Sequence, residues 1–132
     1  MPSIFTKIVQ GEIPAYKIAE TEEYLAFLDI NPLAKGHTLA IPKKEINYIF
    51  DMEEDQLAGL MAFAKRVAKA IEKVVPCERI GVSVIGLEVP HTHVHLIPIN
   101  AIDDMNFSKP KLSPSGEELA ELAEVIRREY GE

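Results

Sequence analysis

The chain has no tryptophan, one cysteine and only four histidines among its 132 residues. A single cysteine, Cys77, excludes an internal disulfide and any cysteine-rich metal knot. It follows Pro76 at the end of a helical pattern and reads as a small structural residue. Positive charge is also scarce: 14 Lys and Arg stand against 21 Asp and Glu, a formal net charge of -7. Such a balance repels phosphate backbones and anionic bilayers, so neither nucleic acid nor membrane is an expected partner. No run approaches the roughly 18 to 20 consecutive apolar residues that a membrane span needs. The opening MPSIFTKIVQGEIP lacks the basic-then-apolar build of a secretory signal, and the expected location is cytoplasmic.

What is present suffices for one domain over residues 1–132, since a chain of this size buries roughly two thirds of its extended surface. Leu57, Leu60, Met61, Ala64, Val67, Ala68, Ile71 and Val75 recur at intervals of three and four, which draws one apolar stripe down a long helix. Asp51 with Glu54 is the expected capping box, and Pro76 stops the helix. A second helix is expected over 115–130, capped by Ser115 and Glu118, with Leu119, Leu122, Ala123 and Ile126 inward. AYKIAE, YLAFLDI, HTLAIP, RIGVSVI and the stretch VPHTHVHLIPIN read as strands. The fold class is therefore α+β: about five strands in a mostly antiparallel sheet, one long crossover helix and a C-terminal helix. Residues 100–115, with Pro110 and Pro114, form a loop too short to link domains.

Three of the four histidines fall in VPHTHVHLIPIN at every second position: His91, His93 and His95. On a strand, alternate side chains share a face about 6.5 to 7 Å apart, so the three make a row of imidazoles. Pro90 and Pro98 bracket it, which suggests a strand near a sheet edge or one ending close to a cleft. Three readings compete. Histidines satisfied by backbone groups explain one such residue better than three at strict spacing. Metal binding suits imidazole, yet a straight row spans about 13 Å, too far for all three to reach one ion at about 2.1 Å. Acid-base and nucleophilic chemistry on phosphorus uses all three: a neutral imidazole attacks while its neighbours donate hydrogen bonds. In that reading the central His93 is the nucleophile.

HTHVHLI resembles the histidine triad signature, His-φ-His-φ-His-φ-φ with φ apolar, except that Thr92 fills the first φ position. With IFTKIVQGEIP and FLDINPLAKGHTLAIPKK in the same order, residues 3–99 resemble the histidine triad nucleotide-binding proteins, in particular their Hint-like branch. The resemblance implies a small α+β homodimer that binds purine nucleotides and hydrolyses phosphoramidates or nucleotidyl esters at the α-phosphorus, without a cofactor. It implies His93 as the residue that becomes nucleotidylated, His95 at the phosphate or leaving group, and His91 and His37 in support. It assigns Asp29 to the ribose hydroxyls, where a carboxylate suits a vicinal diol. Phe5, Ile8, Ile13, Phe27, Leu28 and Ile30 match its apolar slot for the base; core packing explains each of them equally well. A nucleotide-binding module without turnover is the alternative.

The chain departs from the pattern in two places. Some bacterial relatives carry a structural zinc on two N-terminal cysteines, a histidine after IPKK and the first triad histidine. Here Ser3, Thr6 and Glu45 replace three of those four ligands, so no metal is expected. Before the triad, where a Gly-Gln-Ser or Gly-Gln-Thr turn is frequent, the chain has Gly86, Leu87 and Glu88. A carboxylate at Glu88 opposes a phosphate by simple Coulomb repulsion.

Overall fold

The computed structural model describes residues 2–131. In chain order it contains α1 (Ile4–Val9), β1 (Lys17–Glu20), β2 (Tyr24–Leu28), β3 (Thr38–Pro42), α2 (Glu54–Val74), β4 (Arg79–Ser83), β5 (Val94–Ile99) and α3 (Gly116–Tyr130). Short 3-10 turns at Ile49–Asp51 and Ile102–Met105 punctuate the connections. The five strands form one antiparallel sheet in the order β1-β2-β3-β5-β4. Antiparallel neighbours need only turns, but β3 and β4 flank β5 and so run parallel to each other. That relation requires a crossover, and α2 supplies it.

Because strand side chains alternate, the sheet has two separate packing faces. Tyr24, Ala26 and Leu28 of β2, Ala40 of β3, and Val94 and Leu96 of β5 pack toward α2 and α3. From α2 they meet Leu60, Phe63, Ala64, Val67, Ala70 and Ile71, and from α3 Leu119, Ala123 and Ile126. The predicted α2 stripe holds at Leu60, Ala64, Val67, Ile71 and Val75, but Phe63 and Ala70 also belong to it, while Met61 is 38% exposed. Both omitted residues lie three after a predicted one, Leu60 and Val67, so the buried stripe is wider than the one drawn. Gly59 breaks helix propensity by about 1 kcal/mol, for a packing reason. A Cβ there would collide with the hydroxyl of Tyr24, which donates to the Gln56 carbonyl at 2.9 Å.

The opposite face carries a smaller cluster: Leu25 and Phe27 of β2, Leu39 and Ile41 of β3, and Phe5 and Ile8 of α1. The α1 helix was not foreseen. Six residues are too few for a clear period, and its start signal is Ser3, whose side chain accepts from the Thr6 amide.

Helix boundaries follow local chemistry. Ser115 and Glu118 cap α3 as expected. At α2 the cap shifts: Asp51 ends a 3-10 turn, and the Glu53 amide instead donates to the Gln56 side chain at 3.4 Å. Two expectations for β5 are corrected. The strand begins at Val94, so His91 and His93 precede it, and β5 lies inside the sheet rather than at an edge. Pro98 is tolerated because β3 stops pairing at Leu96, leaving β5 a neighbour on the β4 side only.

Candidate active site

Sheet register places the site. Phe27 lies opposite Leu39, Leu39 opposite His95, and His95 opposite Ser83, so one row of side chains crosses four strands on the α1 face. Asp29 and His37 stand two residues beyond Phe27 and two before Leu39, and the same alternation continues that face past the strand ends. The apolar cluster under α1 thus runs directly into Asp29, His37 and His95. His93 joins them from the chain entering β5, its ring centroid 4.9 Å from that of His95 and 4.9 Å from that of Phe5. All four histidines are buried.

Hydrogen-bond partners assign the imidazole tautomers. The Leu33 amide donates to His37 Nδ1 at 3.0 Å, so the proton of a neutral His37 sits on Nε2. His37 Nε2–H then donates to His95 Nδ1 at 2.9 Å, which leaves the His95 proton on Nε2. His93 has the opposite assignment. Its Nδ1–H donates to the His91 carbonyl at 2.7 Å, which leaves Nε2 with a free lone pair. Two rings in contact therefore present one nucleophilic nitrogen and one N–H donor. Burial holds His37 down at about 3, with His95 adding to the effect, and holds His95 at about 4, with His93 adding to it. Both are neutral at pH 7, as this tautomer assignment requires. Burial also raises the Asp29 carboxyl above its ordinary range, against the Asn31 amide that donates to it.

The first triad histidine does something different. His91 Nε2–H donates to the Pro42 carbonyl at 2.8 Å, and its Nδ1 accepts from the Ser3 hydroxyl at 2.7 Å. Glu45 accepts from the Ser3 amide at 2.7 Å and from the Thr6 hydroxyl at 2.6 Å. The four residues where relatives carry a zinc are thus brought together, but they do not fit one: they offer two neutral hydroxyls, and both His91 nitrogens are engaged. Asp29, His37 and His95 also approach, with donor atoms within 4.8 Å. That set does not fit either, because the Leu33 amide occupies the one free lone pair of His37. Thr92, the departure from the signature, is accounted for by Ile46, whose carbonyl accepts from its amide at 2.7 Å and its hydroxyl at 2.8 Å.

His93 and His95 open onto a cavity of about 260 Å³, lined also by Glu88, Leu87, Val89, Phe107 and Lys111. Glu88 is therefore on the rim of the site, exposed, beside a fully turned-out Leu87 at 88% exposure. Phe107 and Lys111 were not identified from sequence. They come from the loop after β5, which lies over the chain's own site: the Phe107 ring is 4.8 Å from His95, and the Leu112 amide donates to the Pro32 carbonyl at 2.9 Å. A lone aromatic in an otherwise polar loop was the available signal. Of the apolar residues assigned to a base slot, Phe5, Ile8 and Phe27 are buried together, Ile13 packs at their margin, and Ile30 is 60% exposed beside them in sequence. Leu28 points the other way, into the α2 core, and lines a separate cavity of about 320 Å³ with Asp29, His37 and Leu112.

The model of the HIT domain family matches residues 10–102. An adenosine 5′-monophosphoramidase of Schizosaccharomyces pombe is 38% identical over 129 residues, covering 96% of each chain. A Hit-like protein from Bartonella henselae, described as involved in cell-cycle regulation, superposes with a TM-score of 0.83 at 31% identity, covering 96% of this chain and 95% of its own. A hypothetical histidine triad nucleotide-binding protein from Sulfolobus tokodaii superposes at 0.81 with 31% identity, covering 96% and 90%. The matched region contains the sheet, the crossover helix and all four histidines, and the chain belongs to the HIT, or histidine triad, family.

Proposed function

We propose that the protein is a nucleotide hydrolase that cleaves purine nucleoside phosphoramidates or nucleotidyl esters at the α-phosphorus through a covalent intermediate on His93. The observation that carries this reading is the pair of complementary tautomers: a free lone pair on His93 Nε2 beside an N–H on His95 Nε2. In the first step His93 Nε2 bonds to phosphorus as the bond to the amine or alcohol breaks, while His95 donates to the phosphoryl oxygens or the leaving group. Water then cleaves the phosphorus–nitrogen bond and releases the nucleoside monophosphate. Across both steps water supplies the proton to the leaving group and the hydroxyl to phosphorus, and no metal enters. Asp29 accepts from the ribose hydroxyls, and Ile13 and Ile30, backed by the buried cluster of Phe5, Ile8 and Phe27, take the base. The phosphoramidase activity of the S. pombe relative supports the substrate class.

We further propose a homodimer formed through β4. This strand is a sheet edge with an unpaired ladder, and Val82 on it is 52% exposed. Ile85, two residues after the strand, is also exposed. Among the described residues no helix is long and apolar enough to cross a membrane, and a cytoplasmic location is the reading adopted.

The test mixes the protein with an adenosine 5′-phosphoramidate bearing a fluorescent amine, in chelator, and quenches for intact mass. Amine release with a transient adduct of one AMP, both absent in His93→Ala, is the expected result. AMP binding with neither release nor adduct would establish the non-catalytic module instead.

A further inference from the structure

We infer that Ser3, Thr6 and Glu45 are positioning residues for the nucleophile: with His91 they form a metal-free clasp that keeps the proton of His93 on Nδ1. The inference rests on the reading of His93 as nucleophile. The Pro42 carbonyl can only accept, so a neutral His91 carries its proton on Nε2 and leaves Nδ1 as an acceptor. Glu45 accepts from the Ser3 amide and the Thr6 hydroxyl, so the Thr6 hydroxyl proton is spent there. The Thr6 amide donates to Ser3 Oγ at 3.0 Å, which therefore acts as acceptor from that side. The Ser3 hydroxyl proton is then free for His91 Nδ1, and the His91 ring proton goes to the Pro42 carbonyl. Ser3 Oγ also lies 3.2 Å from Thr6 Oγ1, and Thr6 Oγ1 lies 3.4 Å from His91 Nδ1, but both contacts are longer than the 2.7 Å and 2.6 Å bonds above, and the His91 ring is 0% exposed. Turning that ring would exchange each nitrogen for a carbon and leave the Ser3 hydroxyl and the Pro42 carbonyl without their partner.

The clasp matters to chemistry because of where the His91 backbone is left. Its amide is tied to the Val89 carbonyl at 2.8 Å, and the next residue, Thr92, is tied twice to Ile46. The carbonyl between these anchors is the acceptor that holds His93 Nδ1–H at 2.7 Å. A neutral imidazole whose Nδ1–H is held in this way has its lone pair on Nε2 and its ring oriented. The contacts span three segments far apart in sequence: the N-terminal turn, the chain after β3 and the triad. The positions that hold a metal in some relatives thus do the orienting work here with hydrogen bonds alone.

The test combines nitrogen-15 histidine NMR with steady-state kinetics on Ser3→Ala, Ser3→Thr and Glu45→Ala, with His93→Ala as control. In wild type the His93 Nδ1–H is expected as a slowly exchanging downfield resonance. Ser3→Ala is expected to lose or broaden it and to lower kcat roughly ten- to a hundredfold with KM little changed, as for a misplaced catalytic group. Ser3→Thr, which keeps the hydroxyl, restores both. Glu45→Ala, altered only at the exposed end, is expected to move both readouts in the same direction by less. The inference is overturned by a folded Ser3→Ala or Glu45→Ala with wild-type resonance and kcat, whatever the change in melting temperature. Stoichiometric zinc in wild-type protein prepared without chelator also overturns it. Retained adduct in His93→Ala would refute the nucleophile reading separately, while the resonance still reports on the clasp.

Discussion

The two faces of the sheet are built from the same strands and do opposite things. On the α2 face, Ala26, Leu28, Ala40, Val94 and Leu96 close against two helices, and the hydroxyls of Tyr24 and Thr38 are satisfied by the Gln56 and Gly36 carbonyls. On the α1 face, Leu25, Phe27, Leu39 and Ile41 fill only part of the surface before it gives way to Asp29, His37 and His95. One side removes apolar area from water; the other is covered by the short α1 and the loop after β5, and the space between holds imidazoles in a partly desolvated cleft. The difference shows how a small domain separates stability from chemistry. It loads one face with the core and lets the other carry buried titratable groups whose partners are all supplied.

Substitutions on the two faces should therefore separate cleanly. The largest effect is expected at His93→Ala, which removes the nucleophile and should cut turnover by about 10³-fold or more, followed as amine release, with melting temperature little changed. His95→Ala should cost about 10² to 10⁴ in kcat, the range of a lost proton donor. His37→Ala should also lower kcat, by less, because it removes the hydrogen bond that sets the His95 tautomer. On the other face, Phe63→Ala should destabilise the fold by about 3–5 kcal/mol in urea titration, with turnover per folded molecule intact. A Phe63→Ala protein that kept its stability but lost turnover would break the division between the faces.

Acid sharpens the same contrast. His37 and His95 have folded values of about 3 and about 4, below the unfolded histidine value of about 6.5. In this window the unfolded state binds more protons, so stability is full above about pH 6.5 and falls as pH drops toward 4. Asp29, raised by burial, works in the other direction and recovers part of the loss near the carboxylate range. Urea midpoints measured from pH 8 to 4 check the slope; a flat profile would mean that the imidazoles are not held neutral. The smallest effect is expected from Leu87→Gln with Glu88→Ser, which removes a carboxylate from the cavity rim. A few-fold rise in amine release is expected, by reduced repulsion of the phosphate.

Period and punctuation made most of the fold legible. Three- and four-residue spacing marked α2 and α3, Ser115 and Glu118 marked the start of α3, and short β-favouring runs between turn residues marked five strands. Each miss has its own cause. α1 is too short to show a period, Asp51 competed with Glu53 as a cap, and the edge assignment for β5 relied on a proline whose missing donor matters only where a neighbour exists. In the site, the histidine spacing was conspicuous because a chain with four histidines placed three of them at alternate positions. What each histidine does was not legible. Spacing treats His91, His93 and His95 alike, yet one is locked in a clasp, one faces the cavity with a lone pair and one with a proton.

By itself the sequence determined the α+β class, the family resemblance through HTHVHLI and its neighbours, and the loss of three metal-ligand residue types at Ser3, Thr6 and Glu45. These follow from residue identity and local spacing, which need no partner to be read. Tertiary structure alone decided that those three residues meet His91 as a hydrogen-bonded clasp, that Leu33 and His37 set the His95 tautomer, and that Phe107 and Lys111 fold back over the site. The physical reason is that a hydroxyl, an amide or an imidazole has no assigned role until its partner is known. Here the decisive partners are brought together by sheet register and chain folding rather than by proximity in the sequence.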